Sequence, residues 1–163
     1  MFDLIGKTAI ITGSSKGIGR SIAFAMAEQG AQVVVSSRKA DACQAVADDI
    51  NQKFEGKSGG AIVIPCNISD KTALQMLVDE TRAQLGKIDI LVCNAATNPY
   101  FGSMQNIPEE AIDKVMDNNI KSNILLCQMV IPEMVEREEG SITIISSVGG
   151  IKASTVIGAY NVT

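Results

Sequence analysis

Thr8-Ala9-Ile10-Ile11-Thr12 runs without a break into Gly13-Ser14-Ser15-Lys16-Gly17-Ile18-Gly19, and an apolar stretch carrying Ile22, Phe24 and Met26 follows. The order is a β-branched strand, a glycine-rich turn and a helix start. Glycines let a backbone turn tightly and approach an anion. The first turn of a helix offers free N–H groups and the positive end of its dipole. The glycines follow the pattern glycine, three residues, glycine, one residue, glycine. That differs from the common GxGxxG and from a Walker loop, which a Gly-Lys-Ser/Thr triplet must close. Gly56-Lys57-Ser58 supplies such a triplet, but Asn51 stands where the leading glycine belongs. A glycine turn used only for packing is the bland alternative. The flanking strand and helix favour a phosphate cradle.

Outward from this loop, short apolar runs alternate with longer amphipathic stretches. Gln32–Ser36, Ala61–Ile64, Ile88–Cys93 and Ser141–Ser146 read as further strands. Several are nearly continuous apolar runs, as parallel strands buried on both faces require. Between them, Leu74, Leu77, Val78, Thr81 and Leu85 mark one helical face, with Asp70 as its N-cap. Ala42, Ala45, Val46 and Ile50 form a second stripe. Ile112, Val115, Met116 and Ile120 begin a third, continued by Leu126, Met129, Val130 and Met134. Pro132 inside that stretch predicts a kink or an end. The expected class is α/β: a Rossmann-type doubly wound parallel sheet in three layers. Glu55–Gly60 reads as a surface loop, and Asn98–Asn106 is long enough to border a site.

Composition narrows the chemistry. The 163 residues, 46% apolar and 20% charged, suit one domain rather than two. There is no histidine, which excludes Ser-His-Asp and Cys-His nucleophiles, histidine bases and histidine-held metals. No metal site is expected. Proton transfer near neutral pH falls to a carboxylate, lysine, cysteine or tyrosine. Net charge is −4, so there is no basic field for nucleic acid or an acidic membrane. Cys43, Cys66, Cys93 and Cys127 are too far apart for a CxxC pair and read as reduced thiols of a cytoplasmic protein. The segment Met1–Lys7 shows no secretory leader, and no apolar run approaches the ~20 residues of a membrane span.

Four features in order give the chain its resemblance to the short-chain dehydrogenase/reductase family. They are Thr12–Gly19 in the family's own spacing, Asn94-Ala95-Ala96 after the fourth strand where the family usually has Asn-Ala-Gly, Asn119 in Asp117-Asn118-Asn119-Ile120, and Ser147 followed thirteen positions later by Tyr160. The segments Val33–Lys39 and Asn94–Ser103 resemble the family's member 4 branch, which is NADP-linked and acts on carbonyls and retinoids. The resemblance implies a nicotinamide dinucleotide held by Gly13, Ser15, Lys16, Gly17, Ile18 and Gly19. It adds Asn67 and Ile68 as adenine contacts, Asn67 replacing the family's usual Asp. Asn94, Ala95 and Ala96 would line the cofactor, and Ala96 has less freedom at positive φ than glycine.

The second strand decides which dinucleotide. An NAD site usually puts Asp or Glu there to accept from the ribose 2′-OH. This chain has Ser37, then Arg38 and Lys39, with no acid between Gln29 and Asp41. A 2′-phosphate favours guanidinium and ammonium groups and is repelled by a carboxylate. The expected cofactor is NADP(H). Arg38 and Lys39 as a plain solvated pair is the alternative, but cations at a helix start oppose the dipole.

With histidine absent, Tyr160 is the natural acid/base. A free phenol titrates near ~10 and needs a cation to work at neutral pH. The resemblance places that cation, a lysine, four residues after the tyrosine, whereas this sequence stops at Thr163. It also implies that Ser147 polarises a substrate carbonyl and Asn119 holds a water. Tyr100, Phe101 and Met104 read equally as substrate contacts or as loop packing. The leading expectation is an NADP(H)-dependent oxidoreductase acting on a small carbonyl or alcohol, homo-oligomeric at full length. Residues 1–163 would be the N-terminal part of one Rossmann domain, truncated after the fifth strand. A 3-ketoacyl thioester reductase uses the same residues, and a truncated nucleotide-binding protein without turnover is the non-enzymatic alternative.

Overall fold

The computed structural model describes residues 3–163; Met1 and Phe2, which open the segment read as leaderless, lie outside the described residues. Five strands form one sheet: β1 (Thr8–Thr12), β2 (Gln32–Ser36), β3 (Gly60–Val63), β4 (Ile90–Cys93) and β5 (Ser141–Ile144). Their order is β3-β2-β1-β4-β5, and every pairing is parallel. Five helices connect them: α1 (Gly17–Glu28), α2 (Ala40–Lys53), α3 (Lys71–Leu85), α4 (Glu109–Met116) and α5 (Ser122–Glu136).

The period of two along each strand divides the core. Ala9, Ile11, Val33, Val35, Ile90 and Val92 face α1 and α2. Ile10, Val34, Leu91 and Cys93 face α3 and α5. This gives the expected three layers, and all five residues of β1 are buried. A crossover on each side of the sheet reverses the winding between β1 and β4, and the ends of those strands bound the crevice where such folds take ligands.

Asp70 caps α3 as its sequence predicts, accepting from the N–H groups of Thr72 at 2.8 Å and Ala73 at 3.3 Å. The α2 stripe is rotated from its expected place. The buried positions are Cys43, Val46, Ala47 and Ile50, while Ala45 is exposed. Cys43 and Ala47 complete the helical spacing of that face better than Ala42 and Ala45 do. Of the stripe that opens the third helical segment, Val115 is buried, but Ile112 and Met116 are exposed. The predicted end at Pro132 does not occur, because α5 continues to Glu136. Pro132 and Gln128 are both exposed, so water can satisfy the Gln128 carbonyl that loses its helical donor.

A π turn, Asp117–Lys121, joins α4 to α5 in one continuous run. Asn118 and Asn119 within it are both buried. The two margins of the sheet differ. On β3, Asn51 of α2 donates from Nδ2 to the Ala61 carbonyl at 2.9 Å and accepts from the Ala61 N–H at 2.7 Å. On β5, Ser141, Thr143 and Ile144 are exposed.

Candidate active site

Thr12 ends β1 and organises the turn that follows. Its hydroxyl accepts from the N–H groups of Asn94 and Ala95, both at 3.0 Å. Asn94 returns the contact, donating from Nδ2 to the carbonyls of Thr12 at 2.9 Å and Gly13 at 3.2 Å. Ser14, fully buried, donates to the Ile11 carbonyl and accepts from the Ser36 N–H. The glycine loop is thus held to both neighbouring strands. Asn94 borders the groove, but its amide serves the loop's own backbone.

Gly13 sits at φ +67, and a Cβ there would come within 2.9 Å of the Ala95 Cα. Gly19 lies inside α1, where a Cβ would meet Asn94 Nδ2 at 2.5 Å and the Gly13 carbonyl at 2.6 Å. A Cβ on Gly17, at φ +56, would meet nothing within 4 Å and would face open space. Lys16 is the N-cap of α1 without a side-chain cap, and the first turn holds no acid. The positive end of α1 is therefore left for an outside anion.

That helix end opens on a groove of ≈ 710 Å³. Gly13, Ser15, Lys16, Gly17 and Ile18 form one wall, and Ser37 and Arg38 the end nearest β2. Asn67 and Ile68 line a further side, with Asn94, Ala95 and Ala96 at the base of β4. Gly19 is set back from the groove as a packing position. The expected cofactor residues thus come together around one cavity. The sequence reading missed Ser69, Thr97, Lys114 and Asn118, which also line it. Lys114 stands one helical turn before Asn118, a spacing that singles it out only once Asn118 is placed at the groove. Among the described residues, no carboxylate lines the groove. Among the same residues, Lys16, Arg38, Lys39 and Lys114 make no ion pair, whereas Arg20, Arg82 and Arg137 do. The Ser37 hydroxyl contacts the Cys43 sulfur at 3.1 Å.

A second, smaller cavity of ≈ 30 Å³ adjoins the groove through Ala95 and Ala96. Ser147, Tyr160 and Asn119 all line it. It has room for about one or two waters. Ser147 follows β5, and its Oγ accepts from the Gly149 N–H at 3.1 Å, which leaves the hydroxyl proton free to donate. Tyr160 begins a single 3₁₀ turn and is half-buried. Asn119 accepts from the Thr97 N–H at 2.8 Å and donates to the Thr97 carbonyl and the Thr163 hydroxyl, both at 3.0 Å. Tyr100, Phe101 and Met104 do not line this cavity. Phe101 is 75% exposed, and the Gly102 N–H donates to the Val156 carbonyl at 2.9 Å, pinning the loop to the later segment.

All four cysteines are free thiols. Cys93 borders the small cavity, but burial pushes its thiol up to about 12. Burial, helped by the Asp70 charge, pushes Cys66 up to about 11. Neither is a thiolate at neutral pH, so neither is the nucleophile of this site. At pH 8, iodoacetamide is expected to leave Cys66 and Cys93 unmodified in the folded chain and to label both after denaturation. Peptide mass mapping checks this, and rapid labelling of folded Cys93 would overturn it.

The short chain dehydrogenase family pattern matches residues 7–163. The chain belongs to this family. It is 42% identical over 159 residues to "Dehydrogenase/reductase SDR family member 4" of Bos taurus, covering 98% of this chain and 56% of that relative. That relative belongs to the branch which the Val33–Lys39 and Asn94–Ser103 segments resemble. Among solved structures, a short-chain type dehydrogenase/reductase from Mycobacterium marinum superposes with a TM-score of 0.87 at 36% identity, over 97% of this chain and 63% of its own. A 7α-hydroxysteroid dehydrogenase complexed with NADH and 7-oxo glycochenodeoxycholic acid gives 0.89 at 36%, over 98% and 62%. The short-chain dehydrogenase chain described here therefore spans somewhat more than half the length of these relatives. As a member of an oxidoreductase family, it carries the Rossmann-type sheet its motifs imply. Among the described residues, no helix is long and apolar enough to cross a membrane.

Proposed function

We propose that this chain is the dinucleotide-binding part of an NADP(H)-dependent oxidoreductase that interconverts a small carbonyl and its alcohol. The observation that carries the reading is the groove itself: a glycine loop and a bare helix end at one side, and unpaired cations with no carboxylate at the β2 end. These residues fit a dinucleotide. The turn between β1 and α1 would take the pyrophosphate. Arg38, supported by Lys16 and Lys39, would take a 2′-phosphate. When bound, the nicotinamide exchanges a hydride with the substrate carbon.

The chain's own groups do the rest. The Ser147 hydroxyl, still free to donate, orients the substrate oxygen. Tyr160 gives a proton to that oxygen in reduction and removes it in oxidation. Asn119 holds the Thr97 backbone beside the cavity. A cytoplasmic location and a homo-oligomeric full-length protein belong to the same proposal.

The related 7α-hydroxysteroid dehydrogenase was solved with NADH, so family membership leaves the choice of dinucleotide to the residues after β2. Calorimetric titration is expected to show NADP⁺ binding about tenfold or more tighter than NAD⁺. Arg38→Ala should remove most of that preference while leaving NAD⁺ affinity within about twofold, since one charge-assisted contact is worth roughly 1.5–3 kcal/mol. Equal or tighter binding of NAD⁺ by the unaltered protein would sink the choice of NADP(H).

A further inference from the structure

The π turn puts two consecutive asparagines at two different cavities. Asn118 lines the large groove, and Asn119 lines the small one. Both are more than nine-tenths buried, at 6% and 7% exposure. Asn118 Oδ1 accepts from the Ser69 hydroxyl at 2.6 Å. That separation suits O–H···O and is short for an amide donor, so it fixes which way the Asn118 amide faces. Its Nδ2 has no acceptor among the described hydrogen bonds of the protein and is left for whatever fills the groove. Ser69 is anchored on the other side, where its N–H donates to Asn67 Oδ1 at 3.4 Å. Asn119 grips both backbone groups of Thr97 and the Thr163 hydroxyl, which donates in turn to the Tyr160 carbonyl at 3.0 Å. Contacts therefore run from the groove wall at Asn67 to the main chain of Tyr160, broken only by the covalent step from Asn118 to Asn119.

We infer that Ser69 and Asn118 are positioning residues that tie the adenosine side of the groove to Asn119, so that filling the groove steadies the smaller cavity. This rests on the dinucleotide reading above. The physical cause is local: a π turn inside a continuous helical run interrupts the i→i−4 ladder, and opening it frees the Asn119 amide. A ligand lying against Asn118 raises the cost of that opening. Removing the Ser69 hydroxyl lets the Asn118 amide rotate and breaks the connection. The ligand's other contacts remain.

The test uses adenosine 2′,5′-bisphosphate, a probe too short to occupy both cavities, and reads amide hydrogen exchange by NMR at Thr97, whose N–H donates to Asn119 Oδ1. Thr97 also lines the groove, and direct shielding by the probe would persist in Ser69→Ala. At saturation, the probe is expected to slow Thr97 exchange about tenfold in the unaltered protein, the range of one net hydrogen bond. In Ser69→Ala, again at saturation, the slowing should fall below about twofold, and Ser69→Thr should restore it. Ser69 is exposed, and unchanged exchange at Leu91 in β4 shows that the variant keeps its fold. If the probe binds but Thr97 does not respond, or if Ser69→Ala responds in full, the inference fails and the dinucleotide reading stands. If the probe does not bind the unaltered protein, both fail.

Discussion

Replacing Tyr160 with Phe is expected to lower turnover about 10³-fold or more in the enzyme carrying this chain, within the range of a lost general acid/base. The substitution removes one oxygen and keeps the ring. Tyr160 is half-buried at the small cavity, and its hydroxyl has no partner among the described hydrogen bonds, so its loss orphans no buried group. Fold and dinucleotide affinity should stay within about twofold of the unaltered protein, because no unpaired group is created. No histidine occurs among these 163 residues, and the neighbouring Cys93 thiol is held protonated by burial. Steady-state rates beside calorimetric binding separate the two effects. Turnover retained above about a tenth would remove Tyr160 from the reaction, since that is less than general acid/base groups typically contribute.

Gly13→Ala should abolish dinucleotide binding and destabilise the fold together. The backbone at φ +67 disfavours any side chain, and the new Cβ would lie 2.9 Å from the Ala95 Cα and 3.0 Å from Asn94 Nδ2. Those neighbours cannot retreat. Asn94 and Ala95 are held to Thr12, and the Asn94 amide is what keeps the loop closed. Left-handed strain and overpacking each cost about 1–3 kcal/mol, so a fall in Tm of roughly 5–20 °C is expected. Gly56→Ala is the control. It shares the left-handed φ, at +74, but a Cβ there meets nothing within 4 Å, and it lies outside the groove. It should cost about 1 kcal/mol and leave binding unchanged. Equal loss of binding in both variants would show that the glycine loop acts through stability and not by shaping an anion site.

Much of this architecture is legible in the residues because it depends on period. Alternate apolar residues of β1, β2 and β4 divide between the two helical layers, and a period of two is plain to read. Asp70 is legible because a cap is local chemistry. The α2 stripe is displaced from its expected position because alanines stand on both sides of it. Cys43, Val46, Ala47 and Ile50 keep the 3, 4, 7 spacing of one face, which Ala42 and Ala45 do not complete. Ile112 and Met116 follow a helical spacing yet face outward, since apolar identity does not say what covers a face. Of the site, Gly13 to Gly19 and the Ser147–Tyr160 spacing are readable as pattern. Asn118 is not. A polar residue beside Asn119 looks solvated in sequence, and a π turn, which buries both, leaves no periodic trace. Lys114 is hidden for the same reason, because its approach to the groove depends on where α4 meets that turn.

The grip of Asn51 on Ala61 has a consequence for how this sheet can grow. Both hydrogen-bonding groups of Ala61 on the outer side of β3 are already engaged, so an incoming strand would have to displace a side chain first. At the opposite margin, Ser141-Ile142-Thr143-Ile144 carries neither charge nor proline to turn a strand away. The sheet is polar in the manner of a crystal with one partly passivated face: extension is hindered at Ala61 of β3 and unhindered by charge or proline at β5. Because Ile144 and Ser147 line the small cavity and, among the described residues, none of β5 lines the large groove, a strand added there would border the former and leave the latter untouched.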